Sequence, residues 1–178
     1  MSLTFVDKIV VLHDHLLRAG IEHAFGGAIA LGYHVESPRA TADIDVNITA
    51  TVSKARAVVR ALPAGVAWDD ADLAQIKRDG QVRLFWDVTP VDLFFPQHEL
   101  HDLVAGRVEH VPFAGGTIPV LSATDLTIFK ALFDRTKDWA DIEEMLAYGE
   151  VDADDARAWL VRIVGPKDPR LAKLDRLA

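Results

Sequence analysis

The run Asp43-Ile-Asp-Val-Asn-Ile-Thr49 alternates polar and apolar side chains without a break. Successive side chains of a strand point to opposite faces, so Ile44, Val46 and Ile48 share one face and Asp43, Asp45 and Asn47 the other. The apolar face needs a core to cover it. The acidic face needs partners, because aspartate is depleted in strands and a buried carboxylate is costly alone. A third aspartate, Asp92, lies in the apolar strand pattern Pro90-Val-Asp-Leu-Phe-Phe95, and Gly26-Gly27 joins a short strand pattern, Ile21–Phe25, to a small helical run, Ala28–Tyr33. Taken singly, Gly-Gly is usually a turn and a strand aspartate often marks an edge. Their coincidence carries more. Two carboxylates about 7 Å apart, with a third from a neighbouring strand, form an oxygen cage of triple negative charge. Like charges at about 4 Å repel by roughly 4 kcal/mol at an effective dielectric near 20. A divalent ion relieves that repulsion, and all-oxygen ligation with positions left for water and phosphate suits magnesium. Glycines opening a helix let backbone N–H groups approach phosphate. A phosphate cradle beside a metal cage describes a phosphoryl- or nucleotidyl-transfer site.

The remaining chain supplies a scaffold for such a site. Residues 5–18 carry Phe5, Val6, Ile9, Val10, Leu12, Leu16 and Leu17 at mostly helical spacing, with His13, Asp14 and Arg18 nearer solvent and Gly20 as a stop. Ser53 is placed to cap a helix running to Leu62, which Pro63 closes. Asp69–Gly80 is ambiguous, reading as a short helix and a turn. Gln81–Trp86 and Val91–Phe95 read as adjacent strands, Glu99–Ala105 as one or two helical turns, and Val108–Phe113 with Thr117–Val120 as a second hairpin around Gly115-Gly116. From Ser122 the pattern turns helical. Ser122-Ala-Thr-Asp125 resembles a capping box, helices follow at about 123–134, 137–147 and 153–164, and the tail from Pro166 holds one more short, loosely attached helix. The expected architecture is an α/β (α+β) core with a small mixed β-sheet flanked by helices over residues 1–121, and a C-terminal helical segment over 122–178 that packs on it and closes one wall of a cleft.

Gly26-Gly-Ala-Ile-Ala30, Arg39-Ala-Thr-Ala-Asp-Ile-Asp-Val46 and Val91-Asp-Leu93 together resemble the signature of the polymerase-beta-like nucleotidyltransferase superfamily. Within it, the Arg-x-Thr-x-Asp-x-Asp form resembles the AbiEii/MenA-type group, which includes toxins of toxin–antitoxin pairs. Asp125-Leu-Thr-Ile-Phe-Lys130 and Arg135-Thr-Lys-Asp-Trp-Ala-Asp-Ile142 resemble that group's helical segment, so the likeness spans roughly residues 21–146. It implies roles residue by residue. Gly26 and Gly27 would hold a triphosphate. Asp43 and Asp45 would bind two magnesium ions, and Asp92 would bind one and orient the attacking hydroxyl. Lys130 would reach a phosphate. Asp138 would act as a base or orient Lys130, and both would face the acidic cleft. Gly-Gly stands where the superfamily commonly has Gly-Ser, which removes a hydroxyl able to touch phosphate. The implied reaction is Mg-dependent transfer of a nucleoside monophosphate from an NTP to an acceptor hydroxyl. The acceptor is the 3′ end of a tRNA, as in toxin-type relatives, or a small molecule such as an aminoglycoside, or a protein. A non-catalytic module of the same fold, partnered by a cognate antitoxin, is the rival from another class.

Other residues carry alternatives. Arg39 either contacts a phosphate or pairs with a carboxylate. Lys137 reads as a solvated helix charge, and His98 with His101 as a surface pair, since no third metal ligand is apparent. His13 and His15, two apart on a helix, do not face each other. Trp86 and Trp139, with Phe85, Phe94, Phe129 and Phe133, read as core more than as base-stacking surfaces. Asp152, Asp154 and Asp155 read as a helix N-terminus rather than a calcium loop.

Composition sets outer bounds. The 178 residues, 50% hydrophobic and 26% charged, suit a globular protein able to bury roughly 70% of its unfolded surface. With no cysteine there are no disulfides, thiolate metal sites or cysteine nucleophiles, a usage that leans toward the cytoplasm. A formal charge of −8 argues against a protein that coats DNA, though not against one nucleotide or RNA end held locally. No apolar run approaches a membrane span, and Met1-Ser-Leu-Thr4 lacks the pattern of a signal peptide.

Overall fold

The computed structural model describes residues 3–178; Met1 and Ser2, on which part of the expectation about a leader falls, lie outside the described residues. Helix α1, Phe5–Arg18, starts from a reciprocal capping box between Thr4 and Asp7. Its buried stripe is Lys8, Ile9, Leu12 and Leu16. Val6 and Leu17, expected on the apolar face, are exposed, and Lys8 is buried in their stead. A lysine belongs there because its ammonium meets fixed oxygens: Nζ donates to the Trp86 carbonyl at 2.9 Å and to Thr89 Oγ1 at 3.1 Å, and lies 3.3 Å from Asp87.

Strand β1, His23–Phe25, runs into the short helix α2, Gly27–Leu31, and β2 covers Ile44–Ile48. The expected Ser53 cap is absent. Residues Val52–Lys54 form a 3₁₀ turn, Ser53 Oγ pairs with Thr51 Oγ1, and α3, Ala55–Ala61, begins without a side-chain cap. The edge strand β3, Val66–Ala67, has no counterpart among the expected elements, being only two residues long. The ambiguous stretch is helix α4, Asp70–Asp79, with a full capping box from Asp69 and Asp72 and a left-handed Gly80 at its end. Strands β4, Gln81–Trp86, and β5, Thr89–Phe94, form the first hairpin. After α5, Leu100–Arg107, strands β6, Glu109–Phe113, and β7, Gly116–Val120, form the second.

Helix α6, Ala123–Phe133, has half of the expected capping box: Ser122 accepts the Asp125 N–H, but the Asp125 carboxylate accepts from Arg107 at 3.2 Å instead of reaching back to the cap. Helix α7 covers Thr136–Tyr148, and α8, Ala153–Val164, is capped by Asp152. The tail is not loosely attached. Helix α9, Pro169–Leu177, buries Leu171 and Leu174, and Arg170 donates to the Leu132 carbonyl at 3.2 Å.

The seven strands make one mixed sheet in the order β3-β4-β5-β2-β1-β7-β6. The β2–β5 and β1–β7 pairs are parallel and the others antiparallel. Ile44, Val46 and Ile48 of β2, Val91 and Leu93 of β5, and Val82 and Leu84 of β4 are all buried in the core. Their neighbours in sequence alternate to the other face, which holds Asp45, Asp92, Arg83 and Phe94. Leu121 donates to the Phe25 carbonyl at 2.9 Å, which brings the start of α6 beside Gly26 and sets α6 as a wall over that polar face. Among the described residues no helix is long and apolar enough to cross a membrane.

Candidate active site

Strands β2 and β5 run parallel with Asp45 and Asp92 as direct partners, so their carboxylates stand on the same face. Asp43 lies one residue before β2, where Thr41 Oγ1 accepts its N–H at 3.2 Å. The antiparallel β4–β5 pair sets Arg83 opposite Asp92. Its guanidinium spans two of the three acids: Nε donates to Asp92 Oδ1 at 2.8 Å, and Nη2 donates to Asp92 Oδ2 at 2.6 Å and to Asp43 Oδ2 at 3.2 Å. Nothing in the sequence patterns singles out Arg83. The available signal was its place in the alternation of β4, which becomes informative only once the register with Asp92 is known.

Asp45 is the acid under most strain. Burial, then the charges of Asp92 and Asp43, push its carboxyl up to about 6, and Lys130 and Arg135 offset this only in part. Gly27 is what makes room for it. A Cβ on Gly27 would sit 1.9 Å from Asp45 Oδ2, and its φ of +51° disfavours any other residue. Gly26 plays a different part. It does not line the cleft; its N–H donates to the Asp45 carbonyl at 2.9 Å, and a Cβ there would meet Asn47 Nδ2 at 2.6 Å. No side chain caps α2, which leaves its first N–H groups for water or a ligand.

The facing wall comes from α6 and α7. Lys130 is buried and lines the cleft, but its direct partner is Asp141, at 2.5 Å from Nζ, with Asp138 at 3.9 Å. Arg39 settles as a carboxylate partner, donating from Nε and Nη2 to the two oxygens of Asp141 at 3.2 and 3.1 Å. Burial pushes the Asp141 carboxyl up, but hydrogen bonds from Arg39 and Lys130 outweigh it and hold the group below its usual range. Asp138 is fully buried and both its oxygens accept from Arg135, at 2.6 and 3.0 Å. Asp141 thus holds Lys130, the part expected of Asp138. It stood in the motif at residues 135–142, but only the packing of α7 on α6 identifies it as the joint between two cations.

The cleft, of about 540 Å³, also has an unexpected aromatic end. Phe94, Phe129 and Phe133 line it, Phe129 also packing against the core, whereas Trp86 is buried as expected and Phe85 is exposed. His98 and His101 are no surface pair. His101 is buried, its ring 4.6 Å from that of His98 and 5.1 Å from that of Phe129, and both imidazoles line the cleft. Burial, helped by His98, lowers His101 to about 4, and burial lowers His98 too. Lys137 is exposed at the rim. Away from the cleft, His13 of α1 meets His23 of β1 at 3.0 Å, a pairing invisible to a search within one helix.

Three carboxylates with one pushed toward protonation are a donor set that suits a hard divalent cation. As the side chains stand, Arg83 takes up oxygens of Asp43 and Asp92, and no group of three or more acidic or histidine side chains among the described residues is arranged to hold a metal ion. The chemistry fits magnesium; the present rotamers give two of the three donors to a guanidinium.

No protein-family model matches this sequence, and no curated protein matches it either. Among solved structures, the chain is similar to the antibiotic-resistance factor ANT(2″)-Ia, with a TM-score of 0.60 at 14% identity over 99% of this chain and 97% of that one. The fold is that of the nucleotidyltransferases. An antigenic nucleotidyltransferase-like protein from Paracoccidioides brasiliensis is similar at a TM-score of 0.49 and 20% identity, over 94% of this chain and 91% of that one. JHP933 from Helicobacter pylori is similar at 0.46 and 15%, over 96% and 87%. In this nucleotidyltransferase fold the helices α8 and α9, beyond the stretch that carries the sequence resemblance, belong to the matched length as well.

Proposed function

We propose that the protein is a magnesium-dependent nucleotidyltransferase that moves a nucleoside monophosphate from an NTP to a hydroxyl of a small-molecule acceptor. The observation that carries this reading is the meeting of Asp43, Asp45 and Asp92 on one sheet face beside a Gly27 that a Cβ would drive into Asp45. Asp43, Asp45 and Asp92 would hold the metal. When bound, it would offset the charge of the triphosphate and stabilise the attacking and leaving oxygens. The first N–H groups of α2, which no side chain caps, would be free to meet a phosphate, and Lys130, with Arg39 beside it on Asp141, would supply positive charge on the opposite wall. The acceptor oxygen forms a bond to the α-phosphorus as the bond to pyrophosphate breaks, and the hydroxyl proton leaves to a carboxylate of the cluster. With both oxygens in the grip of Arg135, Asp138 is better suited to positioning than to taking that proton.

Two features favour a small acceptor over a tRNA. The cleft of about 540 Å³ ends in Phe94, Phe129, Phe133 and two imidazoles of lowered basicity, a surface for an uncharged ring rather than a phosphate backbone. Five cations line it against five aspartates, so the formal −8 of the chain lies outside it, and that repels RNA. The full-length likeness to an antibiotic-resistance factor points the same way. The test is incubation with each α-labelled NTP, with and without magnesium, against polyols and aminoglycosides, total tRNA and protein. Label on a small molecule, lost on chelation and in Asp45→Asn, is expected. Label on a tRNA 3′ end would replace the acceptor and favour a toxin-type role with a cognate antitoxin. Label on nothing, with every NTP, would sink the enzyme.

A further inference from the structure

Arg83 occupies the position in which a divalent ion would be most useful. It stands directly opposite Asp92 across the β4–β5 ladder, and one guanidinium engages both Asp92 oxygens and Oδ2 of Asp43. These are oxygens from β5 and from the residue just before β2, which a bridging cation would also take. An oxygen lone pair committed to an N–H at 2.6 Å is not free for a metal. Arg83 is nevertheless not built into the core. Its side chain is 52% exposed at the cleft face of β4, and the packing is carried by the alternate residues Val82 and Leu84 on the opposite face. The guanidinium can therefore swing into solvent while the strand stays in place. Asp45, the third acid, is left with burial and two carboxylate neighbours as the main influences on it.

We propose that Arg83 is a resident counter-cation, which clasps Asp43 and Asp92 in the metal-free protein and is displaced when a divalent ion binds. Metal affinity is then set by competition with a tethered guanidinium, and the acidic cluster never stands bare. This rests on the metal-dependent reading of the same site.

The experiment is Mn²⁺ titration of the full chain without nucleotide, followed by the paramagnetic signal of free Mn²⁺, on the parent and on Arg83→Gln, Arg83→Lys and Arg135→Gln. Arg83→Gln is expected to bind Mn²⁺ roughly tenfold tighter or more, and Arg83→Lys by an intermediate factor, since an ammonium lacks the fork that spans two carboxylates. Arg135→Gln removes the same charge from the same cleft without touching Asp43 or Asp92, and is expected to change the affinity far less. In chelator, Arg83→Gln should melt below the parent and gain more from added Mn²⁺. A structural role alone would lower the melting temperature without tightening Mn²⁺. Equal or weaker Mn²⁺ binding by folded Arg83→Gln overturns the proposal, as does equal tightening in Arg135→Gln. If Arg83→Gln does not fold, Arg83→Lys decides by the same criterion. In those cases the parent still binds Mn²⁺ and the metal-dependent reading stands; if neither parent nor variant binds it, both fall.

Discussion

Asp45 is kept where its charge is least welcome, with its carboxyl raised to about 6 by burial and by Asp92 and Asp43. At neutral pH without metal that shift costs the native state on the order of 2–3 kcal/mol. Asp45→Asn is expected to raise metal-free stability by a similar order in urea melts, and to abolish both the magnesium-dependent rise in melting temperature and transfer. Marked destabilisation in chelator would make Asp45 a satisfied structural group instead. The sign of the acid response follows from the same residue and two histidines. His23 and His101, both lowered to about 4 mainly by burial, are neutral in the native state. Above pH 6.5 they cost nothing. Between about 6.5 and 4 the unfolded chain binds protons that the native chain refuses, so stability falls with pH, by up to roughly 3 kcal/mol for each. Asp45 acts in the opposite direction: between about 6 and 4 the native state holds a proton that the unfolded chain has released, and stability rises as pH falls. Two groups against one give a net loss. Urea melts in chelator from pH 7 to 4 should show it, and Asp45→Asn should make the loss steeper. A shallower slope in the variant would refute the assignment.

The β1–α2 turn and the first hairpin show how elements are locked by single contacts. Gly27→Ala meets two obstacles, a left-handed φ of +51° and a Cβ 1.9 Å from Asp45 Oδ2. The first costs about 1 kcal/mol and remains whatever the partner; the second is largely relieved if Asp45 is shortened, leaving only its Cβ at 3.1 Å. A double-mutant cycle of Gly27→Ala and Asp45→Ala should therefore be less than additive, with coupling on the order of 1 kcal/mol or more in thermal or urea melts. Strict additivity would mean that the turn moves away from β2 without resistance. Lys8 is the second lock, joining α1 to the β4–β5 hairpin through the Trp86 carbonyl and Thr89 Oγ1. Lys8→Met keeps the stem and strands two buried acceptors, a loss of about 2 kcal/mol. Hydrogen exchange should show it first in β4 and β5, while Mn²⁺ binding at Asp43 and Asp92 persists in the folded fraction.

On the scale of the whole molecule, the C-terminal helices are part of the cleft's support. Leu171 and Leu174 of α9 are buried where it packs on α8 and α6, and Arg170 donates to the Leu132 carbonyl and Lys173 pairs with Asp134 at 2.6 Å, both at the end of α6 that carries Lys130 and Phe133. Removal of residues 166–178 should cost about 3–6 kcal/mol from the two leucines alone and lower the melting temperature by several degrees or more. It should also raise the KM for NTP, because the wall bearing Lys130 loses its backing. An unchanged melting temperature would return α9 to the loosely attached tail that its sequence suggests.

Much of this was legible in the chain itself, and the physical reason is locality. Alternation along Asp43–Thr49 and the hairpin patterns follow from the period of two, and the caps at Asp152 and Ser122 and the stop at Gly20 follow from the needs of helix ends, so they depend on neighbours in sequence. The sequence also determined that Asp43 and Asp45 share a face, and that Gly-Gly sits between a strand and a helix. The tertiary structure alone decided what those acids meet. Arg83 is linked to Asp92 by strand register, Asp141 to Lys130 and Arg39 by the packing of α7 on α6, and Lys8 to a hairpin 78 residues away. It also turned Phe94, Phe129, Phe133 and His101 into a cleft wall, since burial in a core and burial in a cleft have the same hydrophobic pattern in sequence. Asp138 finds its partner three residues away in Arg135, but the charges of Asp92, Asp43 and Asp141 are compensated across space, so those partners are settled only when the sheet and its helices are assembled.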